Sequence, residues 1–207
     1  MPVKQSERTR KSRAQILDAA MQEFGTADYA AVSVERICTR HGISKGLMYH
    51  YYAGKDALFL ACASQVFGEL AQYLQAHLPQ LYACDSSERI RDYFLLRDAF
   101  FAEHPLEKCV FENAMFHAPP QLVPAIAQMR KPLAQANAHF MAHVVNTVGL
   151  RDGITKQEAT RYLESVEFVF WTMLRMNGVQ DMSQSQALRQ CTERLLDMLL
   201  YGIAKHD

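Results

Sequence analysis

Two short helical runs flank a single glycine in this chain: SVERICTRH (residues 33–41) and SKGLMYHYY (residues 44–52), with Gly42 and Ile43 between them. Ser33 is a good N-cap for the first run, whose inward positions are Val34, Ile37 and Cys38, and Ser44 caps the second. Gly42 supplies the left-handed backbone that ends the first helix, and Ile43 packs inward. Short helices joined by a tight glycine turn have the dimensions of a helix-turn-helix.

The second run raises a question of its own. Tyr49, His50, Tyr51 and Tyr52 follow one another, too polar at their tips for a plain core helix. Gly46 sits inside the helix, where glycine costs about 1 kcal/mol relative to alanine; that suits a backbone lying close against something. Lys55 opens the next helix, where the helix dipole disfavours a cation unless an anion is near. A nucleic-acid backbone answers all three, because tyrosine and histidine donate hydrogen bonds to phosphates and pack their rings on the sugar edge. Tyr52 falls toward the bundle and is expected in the core. Upstream, Ala14, Leu17, Met21 and Phe24, flanked by Ile16 and Ala20, recur at spacings of three and four and define a first amphipathic helix ending at Gly25.

Net charge is zero over 207 residues, which by itself argues against a nucleic-acid binder. Its distribution argues the other way: residues 1–60 hold nine basic and six acidic side chains, the remainder thirteen and sixteen. Lys4, Arg8, Arg10, Lys11 and Arg13 fall within the first fourteen residues, against Glu7 alone. A basic head and an acidic body result. The five cysteines (38, 62, 84, 109 and 191) are scattered with no CxxC pair and read as reduced core thiols of a cytoplasmic protein. No run of uninterrupted apolar residues has the length of a membrane span, and the charged N-terminus has no apolar segment behind it, so neither a membrane nor a secretory signal is expected.

Taken in order, IxDAAxxxF (16–24), SVxxI (33–37), HGIS (41–44), KGLMYHYY (45–52) and GKDAL (54–58) resemble the DNA-binding domain of tetracycline-repressor-type (TetR family) transcriptional regulators. The resemblance covers residues 10–60 with motifs and the rest by length and helical pattern. It implies an all-α chain of about nine helices: an N-terminal three-helix helix-turn-helix domain over residues 1–60, and a C-terminal helical effector-binding and dimerisation domain over residues 61–207. Position by position it implies phosphate contacts from Ser33, Tyr49, Tyr51 and Lys55. Lys45, Gly46 and Leu47 would face base edges, and Ser44 and His50 complete the DNA-binding set. Met48 takes a buried leucine position. Leu47 stands where a small or hydroxylated residue is commoner, which suits a thymine-methyl contact. Around the turn, Cys38, Arg40 and His41 also depart from the family pattern; His41 is expected in solvent.

Beyond residue 86, helices are expected near 87–103, 105–117, 120–148, 156–178 and 184–204, punctuated by Pro105, Pro119-Pro120, Gly149, Gly153 and Gly178. The last two are apolar on two sides and must be covered twice, either inside a monomer or by the same subunit and a twin; the resemblance implies a homodimer through those helices. The middle segments are rich in phenylalanine and methionine. Either they are plain core, or they enclose a hydrophobic or aromatic effector. The effector-binding candidates are Phe94, Phe101, Phe111, Met115, Phe116, His117, Phe140, His143, Phe170, Trp171, Met173 and Asn177. His139 and His143 are one turn apart, but with no third ligand nearby and no HExxH pattern no metal is expected, and no cofactor. Nucleophile elbows, phosphate-binding glycine loops and paired carboxylates at fixed spacing are all missing, so no enzyme is expected.

The function implied is a ligand-responsive regulator, a repressor by the family's commoner habit, binding a palindromic double-stranded operator and released by a small hydrophobic effector. The alternative is a small-molecule-binding helical module that kept the fold without specific DNA binding.

Overall fold

The structure, a computed structural model, describes residues 2–83, 89–147, 149–163 and 165. These form α1 (Pro2–Phe24), α2 (Val34–Arg40), α3 (Lys45–Tyr51), α4 (Lys55–Ala83), α5 (Arg89–Glu103), α6 (Pro105–Phe116), α7 (Val123–Met129) and α8 (Lys131–Thr147), with α9 over 156–163. Single 3-10 turns cover Tyr29–Ala31 and Pro120–Leu122. The all-helical class expected from the periodicity holds among the described residues.

Local signals fix several element ends. Ser33 Oγ accepts from Arg36 N at 3.1 Å and Ser44 Oγ from Leu47 N at 3.1 Å, as N-caps do. Gly42 has φ of +63°, the left-handed conformation that glycine adopts without penalty. Thr155 and Glu158 form a reciprocal capping box at the start of α9: Glu158 Oε2 accepts from Thr155 N at 2.9 Å, and Glu158 N donates to Thr155 Oγ1 at 3.2 Å.

One expected helix is divided. The segment 120–148 is not continuous: a 3-10 turn leads into α7, which ends at Met129, and α8 starts at Lys131. Pro132 explains the break, because it has no N–H for the carbonyl four residues back and its ring crowds that turn. At the N-terminus α1 is longer than the apolar stripe, reaching back to Pro2 through the basic residues. Ala14, expected in that stripe, is exposed; Ile16, Ala19, Ala20, Met21 and Phe24 are buried.

The chain divides into two compact units. The first comprises residues 1–73 and 99–133, the second residues 74–98 and 134–207. In the first, Ile16, Phe24, Ile37, Met48, Leu58 and Phe59 are fully buried. Phe59 sits edge-on to Phe24 (centroids 5.1 Å apart) and to Tyr29 (5.0 Å). Farther along, Phe111 packs on Phe67 at 5.5 Å and Phe101 at 5.0 Å. Helix α6 lies directly against the end of α1: a Cβ added at Gly25 would stand 2.7 Å from Leu106 Cβ and 2.9 Å from Leu106 Cα. Asn113 Nδ2 donates to Ala27 O at 3.4 Å. Gly25→Ala is therefore expected to destabilise by about 1–3 kcal/mol through overpacking, read as a lower urea midpoint at fixed protein concentration. An unchanged midpoint would mean that the two helices part freely.

In the second unit, Tyr93 stacks on Phe140 at 4.2 Å and its hydroxyl donates to Asn137 Oδ1. Tyr82 meets His143 edge-on at 4.4 Å, and Arg89 donates to Thr147 Oγ1 at 2.9 Å. Helix α4 is long and apolar enough by composition to cross a bilayer, but half of that stretch is buried inside the fold, as in the core helix of a globular protein.

The thiols behave as packing groups. Burial pushes the Cys62 thiol up to about 12 and raises Cys38 and Cys109 as well, so thiolate chemistry is disfavoured at these three.

Candidate nucleic-acid interface

Helix α3 is seven residues long and buries one side chain, Met48. Everything else on it is turned partly or wholly outward. Tyr49 is 56% exposed, the largest exposure of any apolar ring in the described residues. Lys45, Gly46 and His50 are exposed, while Leu47 and Tyr51 are half-buried. His50 and Tyr51 are packed edge-on at 4.8 Å. A Cβ at Gly46 would meet no atom within 4 Å among the described residues, so packing within them does not require a glycine there. Tyr52 turns the other way and is 5% exposed, in the core as its position suggested.

The two capping serines keep a donor in hand. Each hydroxyl oxygen accepts from a helix N–H, which leaves its own hydrogen to give outward. Ser33 and Ser44 are both exposed. Phosphate oxygens accept such bonds readily at helix N-termini.

Lys55 has a seat that the sequence did not disclose. Its Nζ lies 4.0 Å from the centre of the Tyr29 ring and donates to Ala30 O at 3.4 Å. The Tyr29 hydroxyl in turn donates to Asp56 Oδ1. Burial, and then the Asp56 carboxylate, push the Tyr29 phenol up to about 12, so it stays protonated and donating. Burial also holds the Lys55 ammonium below its usual value, with Asp56 opposing. A cation at a helix N-terminus is unfavourable; the ring face, the carbonyl and Asp56 at the second helical position offset that cost.

Lys45 is paired across the motif. Its Nζ donates to Glu35 Oε1 at 2.9 Å, with the two side chains 57% and 73% exposed. Each partner holds the other charged: the hydrogen bond raises Lys45 and lowers Glu35.

Behind this surface is a buried ionic hub. The Glu23 side chain, 4% exposed, accepts from Arg36 Nε, from His41 Nε2 at 3.1 Å and from Arg40 Nη1 at 3.4 Å. Helix α1 is thereby tied to α2 and to the turn. His41, expected in solvent, is half-buried and belongs to this hub. A carboxylate near the end of α1, offered to three basic side chains, overrides the local preference of an exposed turn residue. No sequence signal marked Glu23, because its position on α1 lies next to the apolar stripe and its partners come from another helix.

The effector candidates fall into separate groups. Phe101, Phe111, Met115, Phe116 and His117 are in the first unit, where Phe101 and Phe111 touch and His117 is exposed. Phe140 and His143 are in the second, joined through Tyr82, whose ring is 6.0 Å from Phe140. Tyr82 Oη and His143 Nε2 are both buried without a hydrogen-bond partner among the described residues. The Phe94 side chain, Phe170, Trp171, Met173, Asn177 and, apart from α9 at the start of the first, the two helices expected to pair subunits lie outside the described residues.

Residues 16–62 match the family model for bacterial regulatory proteins of the tetR family. The HTH-type transcriptional regulator BetI of Brucella suis biovar 1 (strain 1330) is 35% identical over 71 residues, 34% of this chain and 36% of that protein. The chain thus spans about a third of the length of the curated relatives it matches. Among solved structures, a TetR family transcriptional regulator from Chloroflexus aurantiacus J-10-FL superposes with a TM-score of 0.62 at 20% identity, over 95% of each chain. The transcriptional regulator FadR from Bacillus subtilis in complex with stearoyl-CoA does so with 0.64 at 16% identity, over 92% of this chain and 99% of that one. At such identities the likeness is one of fold.

Proposed function

We propose that this chain, whose N-terminal helix-turn-helix domain belongs to the tetR family of bacterial regulatory proteins, is a cytoplasmic, ligand-responsive transcriptional regulator that binds a palindromic operator as a homodimer. The observation that carries the reading is helix α3: one buried methionine, with lysine, glycine, tyrosine and histidine facing out. A surface like that has no packing role.

Residues 1–60 act as the DNA-binding head and 61–207 as the effector-binding and dimerising body. In the complex, Ser33, Tyr49, Tyr51 and Lys55 donate to phosphates and set the register, with Ser44 and His50 beside them. Lys45 and Leu47 read bases, Lys45 on guanine and Leu47 on a thymine methyl. A pair of α3 helices enters successive major grooves about 34–36 Å apart. Occupying the operator blocks transcription, and a hydrophobic effector in the body releases it by favouring a conformation with lower DNA affinity. Tyr82 Oη and His143 Nε2, buried beside Phe140 and unpartnered among the described residues, support placing the effector's polar group there, since buried polar atoms are normally satisfied. The stearoyl-CoA complex of the FadR neighbour is consistent with an acyl or aromatic ligand.

Selection of random duplex DNA by the purified full-length chain tests the reading, with an enriched two-fold symmetric motif as the expected result. On that motif, Lys45→Ala is expected to lose roughly five- to a hundredfold of discrimination at one base pair. Lys55→Ala is expected to weaken all duplexes alike and to lower the salt slope by about one. Uniform losses from both variants would show that Lys45 does not read a base. No retained DNA at any salt would overturn the regulator itself.

A further inference from the structure

The Lys45–Glu35 pair sets an exposed carboxylate beside a residue assigned to base edges. Phosphates repel it, and helix α3 does not need it: Ser44 caps that helix. Glu35 is two residues beyond the α2 cap Ser33 and, through Lys45, on the same face as the reading helix. Both side chains are more than half exposed, so neither is shaped by the core.

Resting on the operator reading above, we infer that Glu35 and Lys45 act as a couple that reads one guanine–cytosine pair, Lys45 on guanine and Glu35 on cytosine. The warrant is a match of spacing and polarity. Across the major-groove edge, guanine presents N7 and O6 as acceptors and cytosine presents N4–H2 as a donor. O6 and N4 are hydrogen-bonded to each other within the pair, so they stand about 2.9 Å apart. Lys45 Nζ and Glu35 Oε1 stand 2.9 Å apart. The ammonium can donate to O6 and N7 while the carboxylate accepts from N4, and the pair need not separate to do so. On an adenine–thymine pair the order runs acceptor, donor, acceptor. With adenine in guanine's place, the ammonium would meet the N6–H2 donor and the carboxylate the thymine O4 acceptor, both repulsive; with the pair reversed, O4 and N6 still match and only the N7 acceptor is lost to the thymine methyl. With adenine in guanine's place, or with the guanine–cytosine pair reversed, Glu35 meets an acceptor and its charge counts against binding, so it also suppresses affinity for those sequences.

The experiment uses the full-length wild type and the variants Glu35→Ala, Glu35→Gln, Lys45→Ala and the double alanine. Each is carried through random-duplex selection, then equilibrium binding to operators in which one G·C pair at a time becomes A·T. Glu35→Ala is expected to lose about five- to a hundredfold of discrimination at the same base pair as Lys45→Ala, with the double variant no worse than either single. Glu35→Gln, able to bond adenine N6 and N7, is expected to shift the preference there toward adenine. Thermal unfolding should not change, because both side chains are exposed. If Glu35→Ala instead tightens binding to every duplex equally and leaves each base preference intact, the carboxylate only repels phosphate and the inference is overturned. A wild-type chain that selects no motif overturns the operator reading itself, an outcome recorded before any variant is made.

Discussion

Phe59→Ala lowers the free energy of unfolding by about 3–5 kcal/mol and removes duplex binding with it. Phe59 is fully buried at the start of α4, touching Phe24 from α1 and Tyr29 from the 3-10 turn. Truncation loses the transfer energy of the ring and leaves a cavity that three elements would have to collapse into. The aromatic–aromatic contacts add about 0.5–1.5 kcal/mol each beyond the buried area. The consequence for DNA follows from Tyr29. Its ring carries Lys55 and its hydroxyl holds Asp56, so loosening Tyr29 unseats the phosphate lysine. Urea denaturation at fixed protein concentration reads the first effect and a fluorescence anisotropy titration reads the second. A loss under about 1 kcal/mol would mean that the cluster packs without sharing load.

The second large effect is at Glu23. Glu23→Gln keeps the size and removes the charge that Arg36, His41 and Arg40 share. The three partners retain some access to water, so the loss is that of charge-assisted hydrogen bonds, about 2–3 kcal/mol, rather than that of stranded buried cations. It carries a pH signature. Burial acts to raise the Glu23 carboxyl, but hydrogen bonds from His41 and Arg36 and the charges of Arg36 and Arg40 outweigh it and hold the group below its ordinary 4.5. A group with a depressed folded value stabilises fully above its unfolded value, and that stabilisation disappears as pH falls through the folded one. The gap between wild type and Glu23→Gln should therefore be full at pH 7 and narrow steadily below pH 4.5. A gap that persists undiminished in acid would show that Gln is disfavoured by shape and not by charge.

Much of the head was legible in the chain because its determinants are local. Ser33 and Ser44 cap helices three residues away, and Gly42 turns the backbone at its own φ. The stripe of α1 is a period that any window of eleven residues displays. The break before α8 was just as local, written in Pro132, and a single helix over 120–148 overlooked it. The body was less legible. Phenylalanines at helical spacing are the same sequence pattern whether they form core or cavity, and Phe101 and Phe140 belong to different compact units.

By itself, then, the sequence determined the helix-turn-helix, its caps and turn, and which residue types face outward from α3, because those depend on interactions within one or two helical turns. Tertiary structure alone decided what those residues are held by. Glu35 reaches Lys45 across ten residues, Glu23 reaches His41 across eighteen, Tyr29 reaches Asp56 across twenty-seven, and Asn113 reaches back eighty-six to Ala27. None of these pairings has a period or a propensity to betray it. Each exists because packing of apolar faces brought two polar groups within hydrogen-bond distance, and at that range geometry rather than chain order sets the energy.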